Sequence, residues 1–239
     1  MKRICTICAR GGSKGVKNKN IRHILNKPLI AFSIRQAKLS GIFEYIAVSS
    51  DSEEILNVAR EYGADFLIKR PNEMATDESA KLPAIQHCVQ EVEKRLNITF
   101  ETIVDLDATS PLRTIEDIQG AVTLLEGQIC SNVITAAPSR RSPYFNLVER
   151  NKYGYVMLSK ELDGGIARRQ DSPKCYDMNA SIYVWKRNTF YEAKTIIQKD
   201  TLLYEMPEDR SIDIDSELDF MFVDFLITQK RDSYEKLFL

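Results

Sequence analysis

The chain has 239 residues, which is enough for one large α/β domain or for one domain that carries a small insertion. With 44% hydrophobic residues, 28% charged residues and a formal net charge of -1, its composition is ordinary for a globular protein. Nothing in that balance indicates general binding to nucleic acid or to a membrane surface. No apolar run approaches the length of a bilayer span, and the first residues show no signal-peptide core.

Apolar runs alternate with helical patterns through the first half of the chain, which predicts βαβ units. The predicted strands cover residues 4–9, 45–49, 66–68, 102–106, 132–136 and 180–185. The predicted helices cover residues 29–39, 78–96, 114–126 and 216–227, and a further helix is capped by Asp51 or Ser52 and runs to residue 62. Trp185, in the last of these strands, is expected in the core. The fold class is therefore α/β, with a mainly parallel sheet flanked by helices.

The pattern changes after the fifth predicted strand. Residues 139–178 are polar and rich in turn formers, and a hairpin is predicted around residues 151–154. We interpret this stretch as an insertion that leaves the sheet and returns to it. The chain is thus predicted to be a single domain, residues 1–239, with one inserted segment.

Cysteine and histidine usage argues against disulfides and zinc. The five cysteines are scattered, which favours free thiols in a reducing cytoplasm. Cys5 and Cys8 fall within the first predicted strand, where their side chains should point to opposite faces and not share a metal. Only two histidines are present, far apart in the sequence.

The strongest local signal is the loop after the first strand, Arg10-Gly11-Gly12-Ser13-Lys14-Gly15. Its glycines allow backbone N–H groups to approach phosphate oxygens, and Lys17, Lys19 and Arg22 add positive charge. The loop has neither the Walker A spacing nor the dinucleotide fingerprint. It could also be a tight turn whose lysines face water. Five cations around three glycines favour a polyphosphate site.

A second candidate site is the run Ser211-Ile212-Asp213-Ile214-Asp215-Ser216. In an extended segment, residues two apart point to the same side, so both aspartates can present their carboxylates to one place. Such a pair suits Mg²⁺, which prefers oxygen ligands. The alternative is that Asp215 or Ser216 caps the last helix while Asp213 is a surface charge.

Two further segments could contact a ligand. Asp107, Thr109 and Ser110 follow a buried strand, and ligands gather outside the carboxyl ends of strands in open α/β sheets. The alternative is an ordinary strand-to-helix loop. In the insertion, Arg168 and Gln170 flank a second arginine. Adjacent arginines are usually solvated, but arginine also makes forked contacts with carboxylates.

Together these motifs resemble, in order and over nearly the whole chain, those of the CMP-sialic acid synthetases (acylneuraminate cytidylyltransferases). Relatives of that family act on legionaminic and 3-deoxy-manno-octulosonic acids. The matching residues are Ala9-Arg10-Gly11-Gly12-Ser13-Lys14-Gly15 with Lys19-Asn20, Ser49-Ser50-Asp51, Arg70-Pro71, Asp77, Thr109-Ser110-Pro111-Leu112-Arg113, Arg168-Arg169-Gln170 and Asp213-Ile214-Asp215. The first loop, the Arg-Pro segment and the Asp-x-Asp pair are specific only in combination.

The resemblance implies a Rossmann-like (GT-A-like) nucleotidyltransferase fold. It also implies a homodimer in which the insertion serves dimerisation and reaches the partner's active site. The nucleotide-binding residues that it implies are Arg10, Gly11, Gly12, Ser13, Lys14, Lys19, Asn20, Arg70 and Asp77. The implied Mg²⁺ ligands are Asp213 and Asp215, and the implied sugar-site residues are Asp107, Thr109, Ser110, Arg168 and Gln170. Arg10, Lys19 and Asp215 are the expected catalytic residues.

The reaction that the resemblance implies is attack by the anomeric hydroxyl of a nine-carbon sugar acid on the α-phosphorus of CTP, with release of pyrophosphate. Sialic acid enzymes often carry Gln, which faces the sugar, at the position of Asp107, in a Leu-Gln-Pro-Thr-Ser-Pro-Leu-Arg run. This chain has Leu-Asp-Ala-Thr-Ser-Pro-Leu-Arg. Sialic and legionaminic acids therefore both remain open as substrates, with pseudaminic or octulosonic acid as alternatives. A non-catalytic nucleotide-binding module is disfavoured, because both the cationic loop and the aspartate pair are present.

Overall fold

The computed structural model describes residues 1–12, 15–76, 78–162, 164 and 168–239. Ser13, Lys14 and Asp77, which the resemblance assigns to the nucleotide site, lie outside these residues. The strands are β1 (Arg3–Cys8), β2 (His23–Ile24), β3 (Lys27–Pro28), β4 (Tyr45–Ser50), β5 (Phe66–Lys69), β6 (Thr102–Leu106), β7 (Asn132–Pro138), β8 (Val148–Arg150), β9 (Val156–Leu158), β10 (Tyr176–Lys186) and β11 (Leu202–Glu205). The helices are α1 (Leu29–Ser40), α2 (Glu53–Glu61), α3 (Lys81–Leu96), α4 (Ile115–Gly127), α5 (Arg187–Phe190), α6 (Glu217–Gln229) and α7 (Arg231–Glu235).

Seven strands form the central sheet in the order β11-β7-β10-β6-β1-β4-β5. β1 pairs in parallel with β4 and β6, β4 with β5, and β7 with β11. Only β10 is antiparallel, inserted between β6 and β7. The predicted α/β class with a mainly parallel sheet is confirmed. No helix in the described part of the chain is long and apolar enough to cross a membrane.

Helices cover both faces of the sheet, because the central strands are apolar on both sides. Cys5 and Ile7 pack with residues of α1, α2 and α4 on one face. Ile4 packs on the other face with α3, the fully buried Trp185 and Phe190. Cys8 also packs against this second cluster, so Cys5 and Cys8 occupy opposite faces, as predicted.

Several features differ from the sequence-based expectation, and the short elements β2, β3, α5 and α7 were not predicted. Strand β10 begins at Tyr176, which pairs with Pro138, four residues before the start of the predicted strand at residue 180. Strand β11 was not predicted, because it is four residues long and only half-buried at the sheet edge. Helix α3 begins at Lys81 instead of residue 78. The predicted hairpin is confirmed: β8 and β9 are antiparallel around a turn in which Gly154 has φ +88°.

A third apolar cluster joins the two ends of the chain. It contains Val16 from the first loop, Ile214 from the Asp-x-Asp segment and Phe220 from α6. Ser216 is the N-cap of α6 and forms a capping box with Asp219, so Asp215 is not needed as the cap. The first loop and the Asp-x-Asp segment are therefore packed together by hydrophobic contacts.

That packing requires a glycine at residue 15. A Cβ atom at residue 15 would lie 1.9 Å from the carbonyl oxygen of Asp215, which is far inside van der Waals contact. Only a residue without a Cβ allows the two backbones to approach this closely.

We predict that Gly15→Ala lowers the thermal unfolding temperature by about 3–10 °C. Overpacking typically costs about 1–3 kcal/mol, and in a chain of this size each kcal/mol shifts the unfolding temperature by about 2–4 °C. Gly127→Ala is the matched control, since a Cβ there meets nothing within 4 Å at the end of α4. That variant should unfold at or slightly above the wild-type temperature. Equal unfolding temperatures for Gly15→Ala and wild type would show that the close approach is dispensable.

Candidate active site

A cleft of about 210 Å³ opens outside the carboxyl ends of β1 and β6. Ligands of open α/β sheets gather at such strand ends. Its walls come from four separate parts of the chain: Cys8, Ala9, Arg10, Lys19, Asn20, Asp107, Thr109, Asp213 and Asp215. The structure thus brings together seven of the predicted nucleotide, metal and sugar residues: Arg10, Lys19, Asn20, Asp107, Thr109, Asp213 and Asp215.

One wall of the cleft is cationic. Arg10 lines it, and Lys19 Nζ donates to the carbonyl oxygen of Ile214 and lies 3.1 Å from Asp215 Oδ1. Asn20 Nδ2 donates to the Arg10 carbonyl over 3.0 Å. Asn20 Oδ1 is buried and accepts no hydrogen bond from any described residue. This oxygen can therefore accept a hydrogen bond from a ligand hydroxyl or amine.

Next to Lys19, the lining of the cleft carries the aspartate pair. Ile214 is fully buried and its N–H donates to the Thr109 carbonyl over 3.0 Å, which turns Asp213 and Asp215 toward the cleft. Burial, and next the charge of Asp215, raise the pKa of Asp213 to about 6. Asp107 contributes a further rise. Burial and the neighbouring carboxylates therefore both disfavour ionisation of Asp213 in the ligand-free site.

The pair of neighbouring carboxylates, Asp213 and Asp215, fits a divalent cation. Mg²⁺ takes oxygen ligands and is usually held by only one or two carboxylates together with substrate phosphates and water. Asp213 and Asp215 supply two such carboxylates side by side. The described residues contain no group of three or more acidic, cysteine or histidine side chains that would hold a metal unaided. A cation here would thus depend on a ligand that brings its own oxygens.

Asp107 is held in one orientation by three hydrogen bonds. Its Oδ1 accepts from the N–H and the hydroxyl of Thr109 over 2.9 and 2.7 Å, and its Oδ2 accepts from Lys81 Nζ over 2.7 Å. Burial opposes ionisation, but Lys81 and Thr109 together hold the pKa of Asp107 well below its usual range. Lys81 also lies 2.9 Å from Asp105 Oδ2.

Sequence reasoning missed Lys81. A usable signal was present, because Lys81 is the first residue of α3 and a cation at a helix N-terminus opposes the helix dipole. Asp105 is a second signal, since it is a charged residue inside an otherwise apolar strand. Neither signal shows from the sequence that Lys81 and Asp105 form an ion pair.

The loop after β6 is held from behind by Arg113, which is almost fully buried. Its guanidinium donates to the Asp107 carbonyl, to Ser33 Oγ over 2.9 Å, to Gln36 Oε1 over 3.1 Å and to Ser181 Oγ over 3.0 Å. Burial lowers the pKa of Arg113 to about 10, so it remains a cation at neutral pH. These bonds fix the loop that carries Asp107 and Thr109.

Other predicted nucleotide residues lie around the cleft without lining it. The Gly11 N–H donates to Asp51 Oδ1 over 2.9 Å, and Gly12 has open space at its Cβ position. Arg70 is buried beyond β5 and donates to the Ser49 carbonyl over 3.0 Å and to its hydroxyl over 3.2 Å. Their roles toward a nucleotide remain predictions.

The predicted sugar residues are divided between two places. Ser110 is buried behind the cleft, and its hydroxyl has no hydrogen-bond partner among the described residues. Gln170 lines a separate cleft of about 530 Å³ at the base of the insertion. Arg168 is exposed and pairs with Asp171 over 2.9 Å. Within one chain, Arg168 and Gln170 therefore do not line the cleft that contains Asp107.

The raised pKa of Asp213 predicts a pH-dependent cost in stability. Because the pKa is higher in the folded state, the contribution of Asp213 to stability is present at low pH and is lost as pH rises through about 6. We expect Asp213→Asn to raise the unfolding temperature of the ligand-free protein by about 2–4 °C near pH 7.5, and by less near pH 4.5. Asp232→Asn, at an exposed position in α7, is the control and should change little at either pH. A gain for Asp213→Asn that is largest at low pH would contradict the assignment.

The sequence matches the cytidylyltransferase family model over residues 4–236. It is 51% identical over 229 residues to a Campylobacter jejuni protein named CMP-N,N'-diacetyllegionaminic acid synthase, and the match covers 95% of each chain. It is 48% identical to the post-translational flagellin modification protein B of Campylobacter coli, again over 95% of each. It is 34% identical to an Escherichia coli N-acylneuraminate cytidylyltransferase, over 96% of this chain and 52% of that protein.

Solved structures show the same fold. A CMP:2-keto-3-deoxy-manno-octonic acid synthetase complexed with CTP superposes with a TM-score of 0.69 at 15% identity, covering 96% of this chain and all of the other. A cytidylyltransferase from Leptospira borgpetersenii superposes with a TM-score of 0.59 at 16% identity, covering all of this chain and 92% of the other. The predicted Rossmann-like nucleotidyltransferase fold is thereby confirmed. The chain belongs to the cytidylyltransferase family, as its resemblance to the CMP-sialic acid synthetases implied, and is a CTP-dependent nucleotidyltransferase.

Proposed function

We propose that this enzyme transfers CMP from CTP to the anomeric hydroxyl of a legionaminic-type nonulosonic acid and releases pyrophosphate. The observation that carries the proposal is the 51% identity, along 95% of both chains, to a protein named for N,N'-diacetyllegionaminic acid. Identity is lower to proteins named for N-acylneuraminate, at 34%, and for pseudaminic acid, at 32%. N-acetylneuraminic acid is therefore the second substrate to test.

The cleft supports this reaction chiefly through charge. Arg10 and Lys19 line the cleft beside the buried Asn20 Oδ1, which accepts no hydrogen bond from any described residue, and this arrangement suits a triphosphate and the polar groups of a nucleotide. Asp213 and Asp215 would hold Mg²⁺, whose charge would neutralise phosphate oxygens. Little covalent chemistry is then required of the protein, because positioning and charge neutralisation provide most of the acceleration in phosphoryl and nucleotidyl transfer.

Lys19 needs a new partner when the nucleotide binds. In the ligand-free site its ammonium is paired with Asp215, and the Lys19 side chain is 13% exposed whereas that of Asp215 is 76% exposed. An ion pair with one such exposed partner is weak, so it can be given up readily. We infer that Lys19 moves from Asp215 to a phosphate, which leaves Asp215 available as a ligand for the cation.

The reaction is tested by pyrophosphate release from CTP with Mg²⁺, run in parallel with N,N'-diacetyllegionaminic acid and N-acetylneuraminic acid. We expect release that stops when EDTA is added, with the higher kcat/KM for the legionaminic acid. A higher kcat/KM for N-acetylneuraminic acid would assign the enzyme to that sugar. No release with either sugar, in folded protein that binds CTP, would overturn the proposed substrate class.

The role assignment is tested by Lys19→Ala and Asp215→Ala. Each should lower kcat by about 10²–10³ while the protein remains folded, because each removes one electrostatic contact to the phosphates or to their cation. Lys94→Ala and Asp232→Ala, which alter exposed charges on α3 and α7, are the matched controls. Near-normal turnover in both site variants would refute these roles.

We also propose that the enzyme is a homodimer in which the insertion of one copy reaches the cleft of the other. Two apolar surfaces of the chain support this. One is the hairpin, with exposed Val148, Tyr155, Val156 and Met157; the other is the outer face of α6, with exposed Leu218, Met221, Phe222 and Phe225. Exposed apolar patches of this kind commonly mark protein interfaces.

All five cysteines are unpaired, which agrees with the proposed reducing cytoplasm.

Light scattering after size-exclusion chromatography tests the homodimer. The wild type should have about twice the mass of one chain. Val156→Asp and Phe222→Asp should each shift the mass toward the monomer, because a charge at a buried interface position is costly. Glu149→Gln, at a neighbouring exposed hairpin position, should leave the mass unchanged. A purely monomeric wild type would contradict the proposal.

A further inference from the structure

Lys81 has no part in the chemistry proposed above, yet it joins two carboxylates beside the cleft. Its ammonium lies 2.9 Å from Asp105 Oδ2 and 2.7 Å from Asp107 Oδ2, and 5.1 Å from the centre of the Tyr183 ring. Asp105 is fully buried, and its Oδ1 also accepts from the Thr6 hydroxyl over 2.7 Å. Lys81 is therefore held in place by buried groups on β6 and β10.

The Asp107 carboxylate has a hydrogen-bond acceptor position that no described residue uses. An ionised carboxylate offers about four acceptor positions. Asp107 uses three of them, two for Thr109 and one for Lys81. Its side chain is 19% exposed and lines the cleft. Asp107 thus retains about one acceptor position for a ligand, and its orientation toward the cleft is fixed by Lys81 on one oxygen and by Thr109 on the other.

The charge of Asp107 indicates which substrate it faces. The side chain is ionised, since its pKa lies well below the usual range, so it cannot donate a hydrogen bond. An ionised carboxylate repels phosphate oxygens, and the cleft provides Arg10 and Lys19 for those. Asp107 is therefore suited to an N–H or O–H group of the other substrate, the sugar acid, and not to the sugar's own carboxylate.

A purely structural role would not require this arrangement. Replacing a buried ion pair by apolar or neutral groups of similar size is often neutral or stabilising. A lysine at the first position of α3 also opposes the helix dipole. Both considerations favour a functional reason for a cation at residue 81.

We propose that Lys81 is a positioning residue that fixes Asp107 as an acceptor-only contact for a hydroxyl or amide N–H of the sugar acid, and that this pair contributes to sugar selectivity. The proposal rests on the proposed function. It assigns to Lys81 a role that acts through Asp107 and leaves CTP binding unaffected.

The test measures KM separately for CTP and for N,N'-diacetyllegionaminic acid in Lys81→Met, Asp107→Asn and the double variant. We expect the sugar KM to rise about tenfold or more in each single variant, because a charge-assisted hydrogen bond is lost or misplaced. The KM for CTP should stay within about twofold of the wild-type value, since the contacts proposed for CTP are unchanged in these variants. The sugar KM of the double variant should be no higher than that of the more impaired single variant, because both changes remove the same contact.

Arg3→Met is the matched control. The Arg3–Glu126 pair has side-chain exposures of 27% and 19%, close to the 24% and 19% of Lys81 and Asp107, but Arg3 begins β1 and lies at the other end of the sheet. This control should lower the unfolding temperature and leave both KM values unchanged. If Lys81→Met does not fold, Asp107→Asn tests the sugar contact that Lys81 is proposed to position, because it retains the Lys81–Asp105 pair. An unchanged sugar KM in Asp107→Asn would overturn the proposal.

The outcomes separate this inference from the proposed function. Wild-type turnover together with unchanged or equally raised KM values for both substrates in the folded variants would overturn the role of Lys81 and leave the function standing. Absence of wild-type turnover with either sugar acid would overturn both. A selective rise in the sugar KM supports both.

Discussion

The candidate active site depends on the burial of one apolar side chain between two carboxylates. Ile214 is fully buried in a cluster that also contains Val16 of the first loop and Phe220 of α6. Because successive side chains of an extended segment point to opposite sides, burial of Ile214 turns Asp213 and Asp215 toward the cleft. The same packing brings the first loop so close to Asp215 that the contact requires a glycine at residue 15. Hydrophobic packing thus sets the relative position of charges that are far apart in the sequence.

The charges at the carboxyl end of the sheet are arranged for ligands more than for stability. Asp213 has a raised pKa and costs stability near neutral pH, whereas Asp107 is kept ionised by Lys81. Arg113 is buried behind them with neutral acceptors around its guanidinium. Such groups are typical of functional sites, where a fold accepts a local cost in exchange for fixed electrostatics. The two aspartate positions differ: Asp107 is paired with the ammonium of Lys81, whereas Asp213 is a proposed ligand of Mg²⁺.

The cleft of a single chain contains the proposed phosphate and cation contacts but only part of the predicted sugar site. Arg168 and Gln170 lie in the insertion and do not line the cleft. Apolar side chains on the hairpin and on the outer face of α6 remain exposed. The proposed homodimer addresses both observations, because it would cover these surfaces and bring a partner's insertion to the sugar. Oligomeric state and sugar recognition are therefore linked in this proposal.

The sequence by itself determined the α/β class, most helices and strands, the hairpin turn and the principal motifs of the cleft. It could do so because periodicity, caps and turn residues are local, and because the carboxyl ends of parallel strands meet at one edge. Only the tertiary structure decided that β10 runs antiparallel between β6 and β7 and that β11 completes the sheet. It alone paired Lys81 with Asp105 and Asp107, since that ion pair depends on how α3 packs on the sheet beside β6 and not on any local pattern.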